Sequence, residues 1–259
     1  MTNILIEVAV IGFNNFIPVE KAIGFLNKYQ NIFSFELLRD VRFESHQPNN
    51  GYSYQTSEIY QLMNELLSDI KGLHHLIIGI VEKRLDGKKW GNLFGSMQTN
   101  DNDTLTGKAI TTTYQVNELL KPIPIEIYYA FEFISFAIRF VVGKGLIHDD
   151  ERGCIFHRKI NKTDISEAIK AGYISLDSQN KINNYLEINQ IIQFKTVISL
   201  IGDIARSETP EDVFNNYLKV SKAEINDTGK ESIKINIFID SSKTRRMSHT
   251  TKISKDTLL

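Results

Sequence analysis

The densest group of side chains able to do chemistry lies in residues 145–157, GLIHDDERGCIFH. His148, Cys154 and His157 carry imidazole and thiol groups, which are ligands that zinc prefers. These three residues are therefore a candidate metal site. A second interpretation stays open, because their spacing is not that of a recurrent zinc motif. In it Cys154 and Phe156 are core residues, His148 ends the preceding helix, and the acidic side chains face solvent.

Three consecutive acids in the same segment suggest a second kind of metal chemistry. Asp149, Asp150 and Glu151 offer the oxygen ligands that a hard cation such as magnesium binds. With Arg158 or Lys159 they suggest a metal-dependent nuclease. Adjacent acids project in different directions, so the competing interpretation is a solvated turn.

Composition favours one main domain inside the cell. The chain has 259 residues, 42% of them apolar, which is enough for one large core. Its 30 basic and 31 acidic side chains give a formal charge of -1, so no global field attracts nucleic acid or an acidic membrane. The single cysteine excludes an internal disulfide, and the N-terminus lacks a secretory signal. We therefore expect a cytoplasmic protein.

The pattern of apolar residues predicts an α/β fold with a mixed β-sheet and packed helices, followed by C-terminal helices and a terminal strand. The predicted strands are residues 4–13, 32–38, 76–81, 92–97, 109–114 and 232–240. The predicted helices are residues 18–27, 56–70, 125–142, 164–170, 184–206 and 209–220. Residues 42–55, which include Pro48-Asn-Asn-Gly51, are predicted to form an exposed loop.

The apolar stretch 125–142 predicts a buried core helix and no membrane span. It carries Glu126, Glu132 and Arg139. Each charge would cost roughly 2.5–3.5 kcal/mol near the centre of a bilayer.

The end of this helix resembles the zinc-binding region of archaemetzincin-type metalloproteases, HExxHxxGxxH. In that motif two histidines one helical turn apart hold zinc, the glutamate acts as base, and the glycine turns the chain toward a third histidine. Gly145 and His148 match the motif glycine and third histidine. In this register Ile138, Arg139 and Val142 stand in place of the first histidine, the glutamate and the second histidine.

Two further segments resemble the same family. Residues 92–95, NLFG, match its Phe-Gly element, and residues 154–157, CIFH, match its short cysteine-containing strand. Residues 171–178 stand where a paired-cysteine segment is expected, so the second, structural zinc site of the family would be absent. The resemblance implies a metzincin-like core over residues 1–178 and a helical extension with a terminal strand and basic tail over residues 179–259.

The resemblance implies a pseudo-metalloprotease that has no cofactor and acts as a binding, regulatory or structural subunit. We expect another protein as its partner, inside an intracellular bacterial complex that could serve defence. The alternative is a metal-dependent hydrolase, a protease or nuclease, using a site rebuilt from His148, Cys154 and His157, with zinc as its cofactor. The basic residues 243–246 near the C-terminus are a candidate contact for nucleic acid.

Overall fold

The computed structural model describes residues 4–69, 75–99, 106–159 and 161–219. The strands in this part of the chain are β1 (Ile4–Ile11), β2 (Phe33–Leu38), β3 (Ser53–Gln55), β4 (Leu76–Val81), β5 (Arg84–Asp86), β6 (Gly95–Thr99) and β7 (Gly107–Thr112). Five of them form the main sheet in the order β2-β1-β4-β7-β6, and β3 pairs with β5 in parallel. β2, β1, β4 and β7 run parallel, whereas β6 is antiparallel to β7 at the edge. The predicted α/β fold with a mixed sheet is confirmed.

The helices surround this sheet and continue beyond it. They are α1 (Ile17–Tyr29), α2 (Val41–Ser45), α3 (Thr56–Asp69), α4 (Val116–Leu120), α5 (Ile125–Val142), α6 (Asp164–Ala171), α7 (Leu176–Ile182), α8 (Ile188–Arg206) and α9 (Pro210–Lys219), with a 3-10 turn at Lys144–Leu146. Among the described residues, none of these helices is long and apolar enough to cross a membrane.

The central strands β1 and β4 are buried on both faces because helices cover both sides of the sheet. Val8 and Ile78 pack into one core with residues of α1 and α5. Ala9 and Ile77 point the other way, into a second core with residues of α3. Alternation along each strand therefore divides the apolar side chains between the two layers.

Helix α5 packs closely against β6 and β7 because both strands have glycine at the contact. A Cβ added to Gly95 would lie 3.0 Å from Cζ of Phe136, and one added to Gly107 would lie 2.7 Å from Cδ2 of Phe140. The two aromatic rings thus occupy the space that the side chain of any residue other than glycine would fill at positions 95 and 107. All twelve residues of α5 from Ile127 to Ile138 are buried, as predicted for a core helix.

The prediction of an exposed loop over residues 42–55 was wrong. This segment contains the end of α2 and all of β3, and its Phe43 and Tyr54 are buried in the core on the α3 side. The Tyr54 hydroxyl donates a hydrogen bond to the carbonyl oxygen of His46 at 2.8 Å. Pro48-Asn-Asn-Gly51 at the centre of the segment favours a turn, so the sequence pattern did not reveal the short helix α2 before it and the short strand β3 after it.

Two strands near the edge of the sheet are displaced from their predicted positions. β6 covers Gly95–Thr99, where residues 92–97 were expected, and β7 covers Gly107–Thr112, where residues 109–114 were expected. Glycines begin both strands, and glycine disfavours a strand in propensity alone. The contact with α5 overrides that preference.

The C-terminal helices pack on the same core as the sheet. α8 begins four residues later than expected, at Ile188, where Glu187 and Gln190 form a reciprocal capping box. Contacts divide the chain into two units, Met1–Lys222 and Ala223–Leu259.

The first of these units includes the boundary expected between residues 178 and 179. Phe194, Val197 and Ile201 of α8 are buried in the core cluster that contains α5, so the helices after residue 178 share its core. The predicted terminal strand, residues 232–240, and the basic residues 243–246 lie outside the described residues.

Helices α6 and α8 approach each other through glycine. A Cβ on Gly202 would lie 2.8 Å from Cα of Gly172, which real Cβ atoms do not tolerate. Gly172 ends α6 in the left-handed region, with φ of 54°. Both residues therefore have to lack a side chain.

We predict that Gly202→Ala lowers the free energy of unfolding by about 1–3 kcal/mol, because the two helix backbones must move apart. The matched control is Gly24→Ala in α1, where an added Cβ has no neighbour within 4 Å. That change is expected to raise stability by about 0.5–1 kcal/mol through helix propensity. Urea denaturation of both variants measures the difference, and equal effects would show that the α6–α8 contact is not tight.

Candidate functional site

The candidate site begins where α5 ends. Gly143 caps the helix with φ of 94°, and its N–H donates to the carbonyl oxygen of Arg139 at 2.8 Å. The 3-10 turn follows and buries Leu146. The sequence interpretation assigned the turn to Gly145, but Gly145 has no positive φ and no atom crowding its Cβ position. The left-handed glycine that redirects the chain is Gly143.

His148 and His157 lie side by side after this turn. The His148 N–H donates to the carbonyl oxygen of Phe156 at 3.3 Å, and the Arg158 N–H donates to that of His148 at 2.8 Å. The imidazole centroids are 6.1 Å apart with their planes at 70°. Nε2 of His157 lies 3.2 Å from the carbonyl oxygen of Asp149. Nε2 of His148 is buried and has no hydrogen-bond partner within the described part of the chain.

Cys154 has a different environment, beneath α7. Its side chain is fully buried, and Sγ accepts a hydrogen bond from the N–H of Ser175 at 3.3 Å. The hydroxyl of Ser178 lies 3.8 Å from the same sulfur. Phe156 is also fully buried and packs near Phe194, with ring centroids 6.2 Å apart. Cys154 and Phe156 thus occupy the core, as the second sequence interpretation predicts.

The three acids of the segment are exposed. Asp149 forms a surface ion pair with Arg158 at 3.4 Å, and Glu151 accepts a hydrogen bond from the hydroxyl of Tyr173 at 3.1 Å. Both contacts lie at the protein surface, where such pairs ordinarily contribute little to stability.

A metal site needs three or four ligands directed at one point. In residues 4–69, 75–99, 106–159 and 161–219 there is no group of three His, Cys, Asp or Glu side chains able to hold a metal ion. The structure brings His148 and His157 together and places Cys154 with α7. Their assignment to a single zinc site stays a prediction.

The three motif positions on α5 do not fit zinc. Ile138 is fully buried in the core, and Val142 is half-buried. Neither side chain has an atom that coordinates a metal. Arg139 carries a permanent positive charge, which repels a metal cation at the place where the motif has its base.

One face of α5 is nevertheless polar. Tyr128, Glu132, Ser135 and Arg139 recur at intervals of three and four residues, so they form one line along an otherwise apolar helix, here called the polar stripe. The Tyr128 hydroxyl donates to the carbonyl oxygen of Thr112 at 2.9 Å. This bond fixes one end of the stripe against β7.

The stripe also carries two ionisable side chains, Glu132 and Arg139, which affect each other's pKa. Burial raises the pKa of Glu132, while Lys159 and Arg139 lower it. Burial lowers the pKa of Lys159 to about 8, while Glu132 raises it. Burial also raises the pKa of Tyr60, on α3, to about 12, against the opposing effect of Arg139. Arg139 thus acts on the pKa of both Glu132 and Tyr60, and the pKa of Lys159 is also raised by Asp164.

Sequence reasoning did not identify this group. The available signal was a pair of opposite charges seven residues apart, Glu132 and Arg139, in a helix with few other polar residues. Lys159 and Tyr60 are distant in sequence and join the group through the fold.

No protein-family model and no curated protein matches the chain. Similar solved structures are found. A zinc-dependent peptidase from Methanocorpusculum labreanum has 14% identity and a TM-score of 0.49, covering 69% of this chain and 100% of that chain. An archaemetzincin from Methanopyrus kandleri has 12% identity and a TM-score of 0.41, covering 76% of this chain and 96% of that chain.

An archaemetzincin from Archaeoglobus fulgidus, complexed with malonate, has 14% identity and a TM-score of 0.42, covering 69% of this chain and 99% of that chain. All three similar structures share less than 25% identity with this chain, and all three TM-scores are below 0.5.

We predict that Lys159 makes the free energy of unfolding rise between pH 8 and pH 10.5. Its pKa is about 8 in the folded protein, against an ordinary value of 10.5. The unfolded chain thus binds more protons in this interval, and stability rises with pH. Lys159→Met should remove this part of the rise, measured by urea denaturation at several pH values. Lys88→Met, at an exposed lysine, is the control and should leave the rise intact.

We also predict that the Cys154 thiol is protected from alkylation. Because the side chain is fully buried, the native protein should react with iodoacetamide at least about a hundredfold more slowly than the urea-unfolded protein. A matched control is Ser57→Cys in a Cys154→Ser background, since Ser57 is exposed and its thiol should react at once. Rapid native alkylation of Cys154 would show that the sulfur is available as a ligand.

Proposed function

We propose that this protein is a catalytically inactive relative of archaemetzincin-type metallopeptidases and acts by binding another protein. The observation that carries the proposal is the state of the motif positions on α5. Ile138, where the motif has its first histidine, is fully buried in the core, and Arg139 stands where the motif has its base.

The mechanism of such peptidases explains why these replacements matter. A bound zinc ion lowers the pKa of a water molecule and polarises the peptide carbonyl, and a glutamate takes the proton. Of the motif residues, this chain keeps Gly145 and His148. One imidazole does not hold zinc in a catalytic geometry, and a guanidinium cannot act as a general base at neutral pH. Without the two further histidines and the glutamate, the protein does not catalyse peptide hydrolysis by this mechanism, but it keeps the surfaces of the fold.

A protein that catalyses no reaction still acts by binding another protein, and we infer that this is the function of the chain. The solved structures similar to this chain include a zinc-dependent peptidase, and a peptidase must hold a polypeptide before it cleaves one. We infer a regulatory or structural subunit of an intracellular bacterial complex. A role in stress or phage defence is part of the same hypothesis.

The alternative, a hydrolase with a rebuilt metal site, has one observation in its favour. Nε2 of His148 is buried without a hydrogen-bond partner in the described residues, and the ring of His157 is 6.1 Å away between centroids. A metal ion bound to both imidazoles would satisfy that nitrogen. A third ligand would have to come from a rearrangement of Cys154.

Metal analysis of the purified protein separates the two functions. We predict less than stoichiometric zinc in the wild-type protein after incubation with zinc and removal of the excess, and no cleavage of casein above buffer. The positive control for zinc retention and for casein cleavage is thermolysin, a zinc protease, carried through the same incubation and removal of excess zinc.

The opposite result would overturn the proposal. If the wild-type protein holds one zinc ion per chain, and both His148→Ala and His157→Ala release it without unfolding the protein, the rebuilt hydrolase site is supported instead.

A further inference from the structure

Two side-chain amides at the end of α1 bind the backbone of β2, the last strand on one side of the main sheet. Nδ2 of Asn27 donates to the carbonyl oxygen of Phe35 at 2.8 Å, and its Oδ1 accepts from the Phe35 N–H at 2.9 Å. Gln30 bonds both backbone groups of Phe33 in the same way, at 3.0 and 2.9 Å. We call the two side chains the amide clamp.

The amide clamp occupies the place of a neighbouring strand. In a sheet the N–H and C=O of one residue point to the same side, and those of the next residue point to the opposite side. Because Phe33 and Phe35 direct theirs at the clamp, Ser34 and Glu36 face β1, and Leu37 is the next residue that points outward. A side-chain amide has the same donor and acceptor as a peptide group, so each one satisfies both backbone groups of its residue.

The outer half of the clamp can be reached from solvent. Asn27 is exposed, whereas Gln30 is 4% exposed. No side chain in the described part of the chain hydrogen-bonds to the backbone of Leu37. Without the Asn27 amide, Phe35 and Leu37 would therefore offer two successive outward positions to another strand.

The composition of β2 makes such an edge prone to association. Its sequence, FSFELL, has four large apolar residues, one charge, no glycine and no proline. Unpaired edge strands of this kind pair readily with other chains, and a second copy offers an identical strand. Glu36 adds a further protection, because two copies that pair antiparallel through Phe35 and Leu37 would bring their Glu36 carboxylates opposite each other.

We propose that the amide clamp keeps the β2 edge of the sheet closed to a second copy of this chain. Another strand would have to break both hydrogen bonds of the clamp at each residue that it pairs with. Removal of the clamp therefore leads to association through β2. This inference is independent of the proposed function, because it concerns the sheet edge and no residue of the motif.

Amide hydrogen exchange of the wild-type protein, followed by nuclear magnetic resonance, tests the clamp directly. After correction for intrinsic rates, the Phe35 N–H should exchange at least about a hundredfold more slowly than the Leu37 N–H, since the clamp binds only the first of them. Equal exchange of the two amides would overturn the proposal, because Asn27 would then not distinguish them.

The variant Asn27→Ala removes the outer half of the clamp. Measurements are made in about 0.5 M salt, where a Debye length of about 4 Å screens Glu36. At about 10 μM protein, Phe35 should exchange at least about a hundredfold faster than in the wild-type protein. At about 1 mM, Phe35 and Leu37 should exchange at least about tenfold more slowly than at the lower concentration, while sedimentation shows dimers.

Two further variants separate the clamp from a general loss of stability. Asn189→Ala is the matched control, because Asn189 is an exposed asparagine of α8, and it should behave as the wild-type protein. Asn27→Asp keeps the acceptor for the Phe35 N–H and loses the donor, so it should retain slow exchange of Phe35. Circular dichroism establishes that each variant is folded.

The proposal is overturned if folded Asn27→Ala associates no more than Asn189→Ala at the higher concentration. It is also overturned if Asn27→Ala associates while Phe35 and Leu37 stay unprotected, because the contact would then lie elsewhere on the protein. If Asn27→Ala does not fold, the comparison of Phe35 with Leu37 in the wild-type protein, together with Asn27→Asp, decides.

Discussion

The packing of α5 against the sheet is the constraint on which the rest of the structure depends. Phe136 and Phe140 lie where Gly95 and Gly107 leave room on the two strands at the edge. Each large apolar side chain that is fully buried contributes about 1.5–3 kcal/mol to folding, and this helix fully buries six Ile and Phe side chains between Ile127 and Ile138. A helix covered on nearly all sides has to be apolar nearly all round.

That constraint limits the chemistry available at the end of the helix. A metal-binding helix must direct ligands into an accessible space, whereas Ile138 is directed into the core. The polar stripe is the exception: Tyr128 donates a hydrogen bond to the carbonyl oxygen of Thr112, and Glu132 and Arg139 attract each other farther along the helix. A helix devoted to packing offers few positions for groups that bind a metal ion.

The segment after α5 depends on how the helix ends. Gly143 redirects the chain, so that the backbone of His148 forms hydrogen bonds with Phe156 and Arg158. Cys154 accepts a hydrogen bond from the N–H of Ser175 at the start of α7, and Phe156 packs near Phe194 of α8. The two histidines become neighbours through backbone pairing. Cys154 and Phe156 are thus fully buried in the core, while Asp149, Asp150 and Glu151, close to them in sequence, are exposed on the turn.

The sequence by itself determined the elements with strong periodicity. The bounds of α5, the presence of strands β1 and β4, and the residues Ile138, Arg139 and Val142 at the motif positions all follow from residue types and spacing. Only the tertiary structure decided the two short elements in residues 42–55, the start of β6 at a glycine, the burial of Cys154 beside Ser175, and the backbone pairing of His148 with residues 156–158. The physical reason is that local patterns report which face of an element is buried. Contacts between distant segments exist only after the chain has folded.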